Sequence, residues 1–321
     1  MDQFAIEDSV CYALASQRAR EKWSQLLINL NTHNSEEDTI LKKQLFLAFA
    51  VAFSFPLVSS LVAVSQAAPS QNRNDFVAPA VFQAAGTSAS SIQSTVDAYR
   101  AALGNPNNGN STGLLTGHRE INWDGGNVNV VTTTAPVTPF NTFLDTRGAQ
   151  FTTPGVGLSQ APVSGGAQGG LVGLFNNPTY ATTFSAFSPS RLFTPVGSNV
   201  TEARFFVPGT NGTVAALVSG FGAVFTDVDQ PDGSGPSKKK GNRQASTLIE
   251  YFGADGKVLY SSFVPASPGD ASLSFFGILF DEPLIARVRI TTGDTAPGPD
   301  DDAHEDIVMM DDFIYGEPQA H

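Results

Sequence analysis

Clustered carboxylates offer this chain its first chemistry. Asp227, Asp229 and Asp232 fall within TDVDQPDG, and Asp311 and Asp312 stand together in MMDDF, just after a run of Asp300, Asp301, Asp302, Glu305 and Asp306. Calcium takes roughly six to eight oxygen ligands, mostly carboxylates, carbonyls and water. Aspartates at the ends of strands can supply them. Asp227, Asp229 and Gly233 partly imitate an EF-hand loop, but Lys238 stands where that loop needs a bidentate glutamate. The expected site is therefore a calcium site of Asp227, Asp229 and Asp232, joined by Asp311 or Asp312 if the strands meet in space. The plainer reading is a set of solvated turns whose carboxylates bond backbone amides.

Trp123 is the second candidate, with Asp124 beside it in EINWDGG. An indole stacks on the apolar face of a sugar ring while neighbouring polar groups take its hydroxyls, which makes Trp123 and Asp124 a candidate carbohydrate-binding pair. A tryptophan of the core is the competing reading. Nucleophilic and zinc-hydrolase signatures are missing: the chain has no G-x-S-x-G and no H-E-x-x-H. The sole cysteine is Cys11, and His118, His304 and His321 follow no ligand spacing. A glycosidase needs only two carboxyl groups roughly 5–10 Å apart. Glu120, Asp124, Glu202 and Glu250 are available for that, but their positions in space are not written in the sequence.

These groups must be held by short strands. Apolar and polar residues alternate over 203–207, 214–218, 223–228, 246–252, 258–264, 273–280, 285–291 and 307–315, separated by turn signals such as Ala254-Asp255-Gly256. In IARVRITT, Ala286, Val288 and Ile290 share one side and Arg287 and Arg289 the other, as in a strand with one wet face. Ile92, Val96, Tyr99 and Leu103 line one face of a helix over 88–103, with serines to cap its start and Gly104 to stop it. Many strands without intervening helices predict a mainly β fold. The expected form is an antiparallel, jelly-roll-like β-sandwich with one short N-terminal helix on its edge. The 24 phenylalanines suit such a core. The expected organisation is a helix and linker over 68–119 and a sandwich domain over 120–321.

Upstream, residues 42–67 read KKQLFLAFAVAFSFPLVSSLVAVSQA, two lysines followed by an apolar run ending in small residues. That is the grammar of a secretory signal. The alternative is a membrane anchor, since the run is long enough to span a bilayer. Residues 1–41 are then either an upstream extension or a cytoplasmic tail. The expected location is the periplasm or the medium, with membrane contact only if the segment is retained. The formal charge of −12 disfavours a nucleic-acid partner. Lys238, Lys239, Lys240 and Arg243 form a basic cluster that reads as a solvated hairpin loop or as a contact to an anionic polymer.

Several strings occur together: STVDAYRAALG, HREINWDGG, RGAQFTTPGVGL, FSPSRLFTPVGSNV, GFGAVFTDVD and IVMMDDFIYGEP. With them the chain resembles a family of uncharacterised secreted bacterial β-rich proteins that often carry a PEP-CTERM sorting tail. The resemblance implies export and a β-rich domain and implies no activity. The sequence ends at Gln319-Ala320-His321, where the tail of such relatives would begin. The resulting expectation is an exported, non-enzymatic, calcium-stabilised sandwich that binds carbohydrate or another cell-surface or matrix component. The alternatives are a polysaccharide hydrolase with paired carboxylates and a purely structural envelope or matrix protein.

Overall fold

In the computed structural model, two antiparallel sheets pack face to face. The structure describes residues 78–125, 136–166, 168–229, 247–299 and 305–321, all within the compact unit Asn74–His321. Residues 1–67 with Cys11 and the export segment, the basic cluster 238–243, Asp232 and Asp300–Asp302 lie outside the described residues.

The larger sheet holds β1 (Ala80–Gly86), β2 (His118–Ile121), β4 (Gly157–Pro162), β5 (Arg191–Val196), β8 (Gly220–Thr226), β11 (Leu273–Leu279) and β13 (Met309–Gly316). Its order is β1-β11-β8-β13-β5-β4, with β2 also paired to β13. The smaller sheet holds β3 (Ala149–Thr152), β6 (Val200–Phe205), β9 (Leu248–Phe252), β10 (Val258–Phe263) and β12 (Arg287–Thr291), in the order β10-β9-β12-β6-β3. β7 (Ala216–Leu217) and β14 (Gln319–Ala320) form a separate small pair. The expected antiparallel sandwich is thus the observed architecture. The sheet begins earlier than residue 120, however, because β1 precedes the helix and forms an edge of the larger sheet. Among the described residues, no helix is long and apolar enough to cross a membrane.

The alternation read in the sequence sorts side chains between the core and the outside. Phe221, Ala223 and Phe225 of β8, Phe276 and Ile278 of β11, and Phe313 and Tyr315 of β13 meet Ile249 and Tyr251 of β9, Val288 and Ile290 of β12, and Phe151 and Ala203 of the smaller sheet. Each such buried aromatic or branched chain contributes about 1.5–3 kcal/mol relative to exposure. On the outer face of the larger sheet lies α1 (Ala89–Leu103), which buries Ile92, Val96, Tyr99 and Leu103 as its periodicity predicts. It covers the β1–β11 side and reaches Val224 and Ile314.

The close approach of α1 depends on glycine. Gly222 and Gly277 are register partners on β8 and β11. A Cβ on Gly222 would meet Tyr99 at 2.9 Å, and one on Gly277 would meet it at 3.1 Å. The Tyr99 ring fills that notch and its hydroxyl donates to the Ile278 carbonyl at 2.9 Å. At the start of the helix, Ser88 and Ser91 form the reciprocal cap.

A buried ion pair closes the opposite side of β2. Arg119 is 0 % exposed and grips Glu317 by two bonds of 2.6 Å, while donating to the carbonyls of Gly109, Ser111 and Thr146. The loop after α1 and the segment after β13 are thereby tied to the sheet.

Candidate functional site

Trp123 is not a surface platform. It is 1 % exposed, stacks on Phe193 at 3.8 Å between ring centroids and meets Phe140, Phe143, Phe151 and Phe313 edge-on. Its Nε1–H donates to the Asp311 carbonyl at 3.0 Å. Polar sequence neighbours suggested exposure, but distant phenylalanines bury the ring. Asp124 is likewise occupied: its Oδ1 accepts from the amides of Ser190 and Arg191 at 2.7 and 2.8 Å.

Asp311 and Asp312 sit at an irregularity of β13, where the register to β8 shifts between Met310 and Phe313. Asp311 accepts from the amides of Phe187 and Ser188, and Asp312 accepts from the Ser188 hydroxyl at 2.6 Å. Arg100 of α1 reaches Asp312 at 3.4 Å and Glu120 at 2.9 Å, and His118 Nε2–H donates to the Glu120 carboxylate at 2.9 Å. These acids clasp the 187–191 segment and the helix to the sheet. Burial pushes the Asp311 carboxyl well above its ordinary range, with the Asp312 charge adding to the rise. Burial raises Asp312 too, despite its bonds from Ser188 and its proximity to Arg100.

Among the described residues of the expected calcium site, the structure does not bring Asp227 together with Asp311 and Asp312. Thr226 pairs with Met309 and Phe225 with Met310, so Asp227 lies beyond one end of those rungs and Asp311-Asp312 beyond the other. Asp229 instead accepts the Gly269 amide at 2.7 Å, and the Asp227 amide donates to the Ser272 carbonyl. For Asp229 this is the plainer reading, a carboxylate bonded to a backbone amide. Among the described residues, no group of three or more His, Cys, Asp or Glu side chains is arranged to hold a metal ion.

An open groove lies elsewhere, on the outer face of the smaller sheet. Register aligns Thr152 with Glu202, Glu202 with Arg289, Arg289 with Glu250 and Glu250 with Ser261, one residue per strand. A parallel row runs Val200, Thr291, Leu248, Phe263. Thr153, Pro154, Asn199 and Asp294 rim the end of the sheet, and the groove encloses about 830 Å³. Five strands at about 4.8 Å spacing make the row about 19 Å long. The apolar row offers a floor and the polar row offers charged donors and acceptors on rigid strands.

The polar row is electrostatically uneven. Glu202 Oε1 accepts from Arg287 Nη1 at 2.7 Å and from Arg289 Nε and Nη2 at 2.9 and 2.6 Å. Burial alone would raise this carboxyl, but the Arg289 bonds and the surrounding arginine charges outweigh it and hold Glu202 ionised below its usual range. The Arg287 guanidinium also lies over the Phe252 ring, 3.7 Å from its centroid, a cation–π contact that fixes its direction. Asn199 is held by Gly293 and Thr292, and Asp294 Oδ1 accepts the Asp306 amide. Glu202 and Glu250 had been recognisable only as available carboxylates. Alternation put Arg289 on the wet face, but the register that sets it between two glutamates has no local signal.

Compared with known proteins, the chain matches no family model, no curated protein and no solved structure.

Proposed function

We propose that the protein is an exported, non-enzymatic β-sandwich that binds carbohydrate in the groove of its smaller sheet. The observation that carries this reading is the groove itself: an apolar row of Val200, Leu248 and Phe263 beside a polar row of Glu202, Arg289 and Glu250. A sugar ring presents the matching pair of surfaces, C–H groups on a face and hydroxyls at the edge. The polar groups stand on strands rather than on mobile loops, which limits the ordering cost of binding. Export rests on the 42–67 segment. Calcium enters this reading only as a stabiliser, and a melting temperature equal in calcium and in EDTA would remove it.

A hydrolase reading fits less well. Such an enzyme needs one carboxyl raised so that it can donate a proton to the leaving group, and the guanidinium groups around Glu202 remove that carboxyl from the role. The test is retention of the purified protein on a panel of insoluble polysaccharides, with reducing-sugar release measured on the same samples. Retention without sugar release supports the binding reading. Release above a boiled control contradicts its non-enzymatic part, and no retention on any polysaccharide contradicts the whole.

A further inference from the structure

Resting on the carbohydrate reading, we infer that the open face of the smaller sheet prefers an acidic, uronate-bearing glycan over neutral and cationic ones. A third row of side chains runs on that face, two residues from the polar row along β3, β6, β12 and β9. There, register aligns Gln150 with Arg204, Arg204 with Arg287, Arg287 with Phe252 and Phe252 with Val258. Two residues of strand set the third row about 7 Å from the polar row, and it contains no acid. Across both rows, Arg204, Arg287 and Arg289 stand against Glu202 and Glu250. Glu250 offsets one charge of the polar row and leaves the Arg204–Arg287 end positive.

Arg204 and Arg287 are direct cross-strand partners, and like charges so placed repel. Glu202 answers only part of that repulsion: its Oε1 takes Arg287 Nη1 and Arg289 Nε and Nη2. Among the described residues, Arg287 Nε and Nη2 make no hydrogen bond or ion pair, and neither does the exposed Arg204 side chain. The Phe252 ring holds the Arg287 guanidinium in place, so half of the pair is preorganised. A guanidinium fork matches the two oxygens of a carboxylate. A uronate seated here joins Arg204 to Arg287, and Val258, 51 % exposed, continues the row with an apolar contact. A neutral sugar leaves both arginines unanswered, and an amino sugar brings like charge. The whole-chain charge of −12 opposes an acidic ligand at long range. At about 0.15 M salt, exposed charges more than about 8 Å away are largely screened, so the preference is a contact effect of this row.

The experiment is calorimetric titration of the purified protein at mildly acidic pH and about 0.15 M salt. The ligands are a galacturonate oligomer, its methyl ester, glucose and glucosamine oligomers of the same length, and linear polyphosphate. Esterification removes the charge and keeps the backbone, so that comparison needs no altered protein. The expected result is tightest binding of the galacturonate oligomer, by about tenfold over its ester and the glucose oligomer, the size of one charge-assisted hydrogen bond. Polyphosphate, which carries charge without a sugar, should bind more weakly than galacturonate. Arg204→Gln, checked for an unchanged circular-dichroism spectrum, should lower the ratio of acidic to esterified affinity. Equal binding of galacturonate and its ester, tighter binding of glucosamine, or a ratio unchanged by Arg204→Gln overturns this inference and leaves the carbohydrate reading standing. Polyphosphate binding as tight as galacturonate reduces the row to a general anion site and overturns the uronate preference. Failure of every ligand to bind overturns the inference, and with no retention on the polysaccharide panel it overturns the carbohydrate reading as well.

Discussion

Trp123 shows how a single residue can mislead when read among its sequence neighbours. Asn122, Asp124 and two glycines surround it in the chain, while in space it is enclosed by rings from β3, β5 and β13. Trp123→Ala should therefore lower the unfolding free energy by about 3–5 kcal/mol, measured by denaturant titration, while the folded fraction keeps its oligosaccharide affinity. Asp311 and Asp312 misled for another reason. An irregularity in β13 turns them to backbone amides and Ser188, and nothing in the local sequence marks it.

The titratable groups around that irregularity give a pH prediction with a definite sign. Asp311 and Asp312 ionise above the ordinary 3.8 when folded, so the folded state binds their protons more tightly and gains stability as pH falls through the raised values. For His118, burial alone would lower the pKa, but the Glu120 carboxylate and the Gly104 carbonyl raise it above 6.5. Its contribution is complete below 6.5 and fades as pH rises through the folded value. Glu120 and Glu202 run the other way: they ionise below 4.5, and their contribution is lost as pH falls through those lowered values. The melting temperature should therefore rise on acidification from pH 8 toward about pH 5 and fall steeply below about pH 4. Scanning calorimetry across that range checks it, and a flat or declining profile from pH 8 to 5 would contradict the assignment.

Elements were far more legible than their pairing. All eight segments read as strands between 203 and 315 contain strands, because strict alternation is a local property. The turn at Ala254-Asp255-Gly256 joins β9 to β10 as expected, with Gly256 at a φ of 77°. The faces of α1 were equally plain. Its seat was not, since the notch beneath Tyr99 requires Gly222 and Gly277 to be opposite each other across two strands. Gly277→Ala should destabilise the fold by about 1–3 kcal/mol through overpacking, and Tyr99→Phe by about 1 kcal/mol through the lost bond to Ile278. Amide exchange should show α1 opening more readily in both. At the other side, Glu317→Gln should cost about 3–5 kcal/mol, because it leaves the buried Arg119 charge without its partner; thermal melting measures that loss.

At the scale of the molecule, the sandwich divides its labour between two outer faces. α1 closes one side of the larger sheet, with Tyr99 wedged into its glycine notch. The smaller sheet keeps an open face on which five strands align a charged row and an apolar row. Composition and periodicity announce the sandwich, since they need only count strands and their wet sides. The groove depends on register across β3, β6, β12, β9 and β10, whose segments are scattered over more than a hundred residues, and no short stretch of sequence contains it.

That open face is the proposed binding surface. The most direct test is affinity electrophoresis of the wild type, Arg289→Ala and Asp124→Asn side by side in gels cast with the polysaccharide that retains the protein best. The expected result is strong retardation of the wild type and of Asp124→Asn, with retardation largely lost in Arg289→Ala. Retardation unchanged by Arg289→Ala but abolished by Asp124→Asn would place binding beside Trp123 and contradict the account.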